Sequence, residues 1–202
     1  MPEIEQVPEN SPTRRLPRTI VVASVLIIAI VAAAGVLLAV KGAGRDQTDI
    51  NRFHAGHGYK YTTPDQRVTV RFPARPTAAP TPCGGCDPRD VYALLTRKEY
   101  AFAFSDTLVP TTNLATASAR THLLKATLAD AALTLDHEAP TTFMSQSAYE
   151  GSGSMLVGLG AIPVRVEDFY VDGHVYMIIV AARQDLDASF DAFARSVQLE
   201  TL

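Results

Sequence analysis

Residues 20–40 read IVVASVLIIAIVAAAGVLLAV, with no charge, no proline and Ser24 as the sole polar side chain. About 20 apolar residues, rising 1.5 Å each, match a hydrocarbon core about 30 Å thick. Residues 19–40 are therefore expected to form a transmembrane helix in the lipid bilayer. Two other fates fit the run less well. The apolar core of a secretory leader spans about 7–15 residues, and this run is longer. The small residues Ala32, Ala33 and Ala34, which suit a cleavage site, lie inside it. A buried core helix would need protein around every face, whereas the flanks are polar.

Arginines 14, 15 and 18 precede the run, and Lys41, Arg45 and Arg52 follow it. The basic counts nearly tie, but the leading trio is tighter, and a long C-terminal domain translocates largely regardless of charge. The expected topology is a single-pass signal anchor in the cell membrane. The N-terminus is cytoplasmic and residues 41–202 are extracytoplasmic. Residues 1–18, polar and proline-punctuated, read as a disordered cytoplasmic tail. Residues 41–60 (KGAGRDQTDINRFHAGHGYK) are rich in Gly, Asp, Asn and Gln and read as a linker. Residues 61–202 suffice for one domain with its own core. The net charge is −3, Trp is absent, and no Lys/Arg block follows residue 40. That composition argues against nucleic acid as a partner.

Within the domain, residues 66–72 (QRVTVRF) alternate as a strand, with Val68, Val70 and Phe72 on one face. Pro73 ends it, and a proline-rich loop follows to residue 88. Residues 90–95 and 99–104 read as two strands, with Tyr100, Phe102 and Phe104 sharing a face. Thr112 or Asn113 is placed to cap a helix to about residue 135, with Leu114, Ala117, Thr121, Leu124, Leu128, Ala131 and Leu135 as its stripe. His122 falls at the stripe's edge. Residues 137–140 are expected to break the pattern, 141–145 to be a short strand, and the glycine-rich 149–160 a strand or bulged connection. The glycines match no phosphate-cradling motif. Asp172-Gly173 between two apolar runs signals a type I′ hairpin over residues 164–182, its second strand central because neither side is polar. Asp187 is expected to cap a closing helix over 188–195, buried through Phe190, Phe193 and Val197.

Few residue groups carry chemistry. His54 and His57 have ligand-like spacing, but their glycine-flanked setting lacks the rigidity a metal needs, so no metal is expected there. Cys83 and Cys86, the only cysteines, form Cys-Gly-Gly-Cys in the proline-rich loop. A local disulfide is the favoured reading, given the expected oxidising compartment. A thioredoxin-like redox pair needs its first Cys at a helix N-terminus, and Pro82 and Asp87-Pro88 flank this one instead. Half a zinc site, completed by His54 and His57, is the third reading. Glu167 and Asp168 are adjacent on a strand, point to opposite faces and cannot act as a catalytic pair; they read as a solvated strand face. No catalytic residue, cofactor or metal is expected.

The order of motifs resembles the Mog1/PsbP-like α/β/α-sandwich domains over about residues 59–199. The resemblance rests on Tyr61, Pro64, Val68, Val70, Phe72 and Pro73, then Tyr170, Gly173 and Tyr176 of the hairpin, then Asp191, Phe193 and Ser196 of the last helix. Val197 stands where such domains usually carry an aromatic, and the Cys83/Cys86 loop is not a feature of the group. The resemblance implies a membrane-anchored or secreted bacterial protein and no shared catalytic residue. The expected fold class is α+β: a transmembrane helix, then a mainly antiparallel sheet covered by helices in an α/β/α sandwich. The expected function is non-enzymatic: an anchored binding or assembly domain whose partner is a membrane or envelope protein. The alternative is a thiol-disulfide or metal/ligand-binding protein using the Cys83/Cys86 loop.

Overall fold

The computed structural model describes residues 46–78, 91–95, 100–109, 114–129, 133–157 and 160–200. The expected transmembrane helix and the Cys83/Cys86 pair lie outside the described residues. Among the described residues, no helix is long and apolar enough to cross a membrane.

In chain order the elements are α1 (Asp46–His54), β1 (Tyr59–Thr62), β2 (Val68–Phe72), β3 (Thr77–Ala78), β4 (Val91–Leu95), β5 (Tyr100–Leu108), α2 (Ala117–Ala129), β6 (Thr134–Phe143), β7 (Gln146–Val157), β8 (Gly160–Val171), β9 (His174–Ala182), α3 (Leu186–Ser196) and β10 (Gln198–Leu199). The main sheet has strand order β3-β4-β5-β9-β8-β7-β6, and a small sheet has order β1-β2-β10. All these pairings are antiparallel. The fold is α+β, a mainly antiparallel sheet with a few helices.

Strand parity divides the interior in two. Phe102, Phe104, Tyr176, Ile178 and Val180 face a core shared with α1, α3 and β2. Ala103, Met177, Ile179 and Ala181 face the opposite core, closed by Leu123, Leu124 and Leu128 of α2. β9 is buried along its whole length, as its unbroken apolar sequence requires of a central strand. The hairpin forms as expected, with Asp172 at φ 45° and Gly173 at φ 88°, the left-handed pair that a type I′ turn needs.

Several expectations change. Residues 46–54, expected as linker, form a helix. Ile50 (0 % exposed) and Phe53 (2 %) anchor it in the first core. Two apolar residues three apart in a polar stretch are too few to show periodicity, so packing on the sheet determines this helix. The central helix is shorter than the expected 112–135. It starts just after Thr116, whose Oγ1 accepts the Ala119 amide at 3.1 Å, and Leu135 belongs to β6.

Residues 137–140, expected to break the pattern, lie inside β6. That strand is the sheet edge, where Pro140 forfeits no ladder bond. The glycine-rich stretch is a long regular strand, β7, and its glycines serve close approach. A Cβ on Gly153 would sit 2.0 Å from the Thr134 carbonyl oxygen, beside a register shift between Leu135 and His137. The last helix begins at Leu186, so Asp185 rather than Asp187 holds the N-cap position; it makes no side-chain cap bond. Asp187 instead takes Arg165 at 3.0 Å.

Replacing Phe53 by Ala should lower stability by about 3–5 kcal/mol, the cost of a buried Phe truncation. Arg52→Ala, one residue away and exposed, should stay within about 0.5 kcal/mol. Denaturant titration of the full chain in detergent measures both. Equal, small effects would return residues 46–54 to the status of linker.

Candidate functional site

The strands bring together three polar residues from distant parts of the chain. β5 continues its buried face beyond Phe102 and Phe104 to Asp106, and β9 begins with His174 on the same face as Tyr176. His174 donates through Nδ1 to Asp106 Oδ1 at 2.6 Å, and its ring stacks on Tyr176. The third member, Asp65, comes from the turn between β1 and β2. Thr63 Oγ1 and the Arg67 amide donate to its Oδ1 at 2.6 and 3.2 Å. Its Oδ2 lies 3.7 Å from His174 Nε2 and 3.7 Å from Arg67 Nε. Burial alone would raise the Asp65 carboxyl. The Thr63 and Arg67 hydrogen bonds and the charges of His174 and Arg67 outweigh it, so the carboxyl is held below its ordinary value.

One atom from each of Asp65, Asp106 and His174 falls within a 4.8 Å group, a spacing a metal ion can bridge. The hydrogen-bond geometry narrows that role. Asp106 occupies Nδ1 and so orients the ring, leaving only Nε2 and Asp65 Oδ2 face to face. Arg67 already brings positive charge to that carboxylate, and reaches Asp172 at 3.7 Å as well. His174 and Asp106 are 7 % and 3 % exposed, so no organic substrate reaches them. Charge pairing here ties the β1–β2 turn to the tip of the hairpin.

Glu167 and Asp168, expected on a solvated strand face, are both buried, at 8 % and 0 % exposed. They do point to opposite faces, so they form no pair with each other. β8 is an interior strand of the sheet, paired with β7 on one side and β9 on the other. Cross-strand register sets Glu150 directly opposite Glu167. Burial first, then the Glu150 charge, push Glu167 up to about 7, against the pull of Arg165. Asp168 is also raised, first by burial and then by the charge of Glu167, against the pull of the nearby Asp168 and Tyr149 amides.

The two sequence-predicted histidines sit elsewhere. His54 Nε2 meets Ser189 Oγ of α3 at 3.1 Å, and His57 is exposed beyond the end of α1. They line one hollow together with Phe53, Arg71 and Arg195. A second hollow shares His57 and adds Asp49, Arg52 and Tyr59. This cleft lies at the Tyr59–Phe72 end of the small sheet. The Asp65 turn and the hairpin tip lie at the other end.

Asp65, Asp106, His174, Arg71 and Arg195 are not among the site residues expected from sequence. Period-2 parity was the available signal for two of them. Counting on from Tyr100, Phe102 and Phe104 reaches Asp106, and counting back from Tyr176 reaches His174. The Asp65, Arg71 and Arg195 placements depend on tertiary contacts with no local sign.

No protein-family model matches the sequence, and no curated protein matches it. Several solved structures are similar in shape. A cyanobacterial PsbP from Synechocystis is 16% identical with a TM-score of 0.47, over 70% of this chain and 92% of that one. The Saccharomyces cerevisiae Ran-binding protein Mog1p is 10% identical with a TM-score of 0.43, over 71% and 95%. LpqN, involved in cell envelope biogenesis of Mycobacterium tuberculosis, is 12% identical with a TM-score of 0.35, over 72% and 91%. With every identity below 25% and every TM-score below 0.5, these likenesses assign neither a family nor an activity.

The raised Glu167 fixes the sign of a pH effect. The folded chain keeps this proton while the unfolded chain releases it above about pH 4.5, the ordinary carboxyl value. Stability from this group is full below that pH and is lost as pH rises through about 7. Asp168 contributes in the same direction. Glu167→Gln should make the fall in denaturation midpoint between pH 5 and 8 shallower. An unchanged slope would show that Glu167 ionises freely in the folded chain.

Proposed function

We propose that this chain is a membrane-tethered, non-enzymatic binding module. Residues 19–40 anchor it, and the α+β domain is extracytoplasmic. The partner is a membrane or envelope protein that docks on the hairpin end of the domain. One observation carries this reading: two exposed large apolar residues lie at that end of the sheet. Leu108 is 61 % exposed and Met144 47 % exposed. Leu108 pairs with His174 at the hairpin tip. Met144 sits in the turn between β6 and β7, at the start of β7, whose Ala148 pairs with Phe169 near that tip.

Large apolar side chains in water, rimmed by polar residues such as Asp172 and Arg67, fit a protein interface. The Asp65–His174–Asp106 cluster, half-buried at Asp65 and buried at the other two, supports the surface by fixing the β1–β2 turn to the hairpin. Its role in this reading is positional. The resemblance to Mog1/PsbP-like domains suits the same reading, as that fold hosts binding and assembly roles. Cys83 and Cys86, read as a disulfide, lie outside the described residues and take no part in this proposal.

A photo-crosslinking side chain placed at position 108 or 144 tests the reading in cells. The expected result is one discrete adduct with a membrane or envelope protein, absent when the probe is moved to exposed Ala188 on α3 and lost from position 144 when Leu108 becomes Asp. Adducts of equal yield at all three positions, or none at 108 and 144, would reject the surface. A C-terminal reporter active only in the cytoplasm would reject the topology.

A further inference from the structure

The cleft at the far end of the domain has the opposite chemistry. Arg52, Arg71 and Arg195 and the imidazoles of His54 and His57 line its two adjoining hollows, and Asp49 is the one carboxylate among the lining residues. Among the described residues none of the three arginines forms an ion pair. Arg52, His54 and Arg195 stand in the last turns of their helices, where positive charge also complements the terminal carbonyls. Arg71 stands on β2 and has no such partner. Tyr59 lines the second hollow and is 52 % exposed. An exposed tyrosine among long cationic side chains is the composition that settles at a bilayer surface, aromatic ring among the headgroups and charges on the phosphates.

Chain length places the cleft beside such a surface. Residues 41–45 alone separate the apolar run from α1. Fully extended they reach about 18 Å, at up to about 3.6 Å each. Helix α1 adds about 14 Å at 1.5 Å per residue before the cleft begins. The cationic face can therefore reach the headgroups, and tethering keeps it near them at high effective concentration. Anionic lipid attracts such clusters within a Debye length, about 8 Å at physiological salt.

We propose that the cleft formed by α1, β2 and the end of α3 docks on the anionic lipid surface of the membrane that carries the chain. The docked domain turns its hairpin end, with Leu108 and Met144, away from the bilayer toward a partner. This inference rests on the tether at residues 19–40 and adds an orientation to it.

The chain contains no Trp, so Tyr59→Trp provides a single indole at the cleft and Met144→Trp one at the opposite end. Each full-length variant is reconstituted into vesicles of phosphatidylcholine, with or without phosphatidylglycerol, containing nitroxide-headgroup lipid as quencher. The expected result is quenching and a blue shift for Tyr59→Trp in the phosphatidylglycerol vesicles. Both should be lost at 1 M salt and on adding Arg71→Glu with Arg195→Glu. The Met144→Trp indole should stay unquenched in both lipids. The salt arm needs no further mutation, so it holds even if the charge-reversed variant fails to fold. Equal quenching of the two indoles, or quenching indifferent to lipid charge and salt, would overturn the docking. Alkaline carbonate separates the two premises. A chain stripped from the vesicles overturns the tether and the docking with it. A chain retained in the vesicles but unquenched at position 59 overturns the docking alone.

Discussion

Phenylalanines 53, 72, 102 and 193 come from α1, β2, β5 and α3 and meet in one cluster. Phe102 and Phe193 pack edge to face with centroids 5.4 Å apart, Phe72 and Phe193 at 5.0 Å, and Phe53 and Phe102 at 5.3 Å. Such pairs contribute about 0.5–1.5 kcal/mol each beyond the area they bury. The cluster fastens the small sheet and two helices to one face of the main sheet. It also fixes the cleft, because Phe53 precedes His54 on α1 and Phe193 stands two residues before Arg195 on α3. Helix α3 is held a second time by Arg165, which lies over the Phe190 ring at 4.3 Å and pairs with Asp187 and Asp191.

The buried charges follow from the same layering. Glu167 and Asp168 of β8 and Asp106 of β5 are all buried. Glu167 answers with a carboxyl raised to about 7, and Asp106 by accepting the His174 N–H. Those two outcomes differ because Asp106 has a donor in reach and Glu167 faces another carboxylate. The electrostatics thus separate the domain's ends: paired at the hairpin tip, cationic and open at the cleft.

Much of the sheet was legible because its signals are local. Asp172-Gly173 announces its turn, β9 announces its central place by lacking a polar side, and Tyr100, Phe102 and Phe104 announce a buried face. Helix α1 was not legible. Its apolar content is two residues, and their partners Phe102 and Phe193 lie far along the chain. The β6 edge was missed because Pro140 reads as a breaker until its strand is known to be an edge. Glu167 was misplaced for a similar reason: its burial is a tertiary property with no sign in its neighbours in sequence. Cys83, Cys86 and the apolar run at 19–40 are clear motifs that lie outside the described residues.

The central claim is that residues 46–54 belong to the folded core and so carry the cleft beside the tether. Amide hydrogen exchange on the full chain in lipid tests it most directly. Core packing of Ile50 and Phe53 predicts that the amides in the last turn of α1 exchange slowly, and that Phe53→Ala accelerates them together with those of α3. Exchange of the α1 amides at the rate of an unstructured peptide, with α3 unaffected by that substitution, would contradict the account.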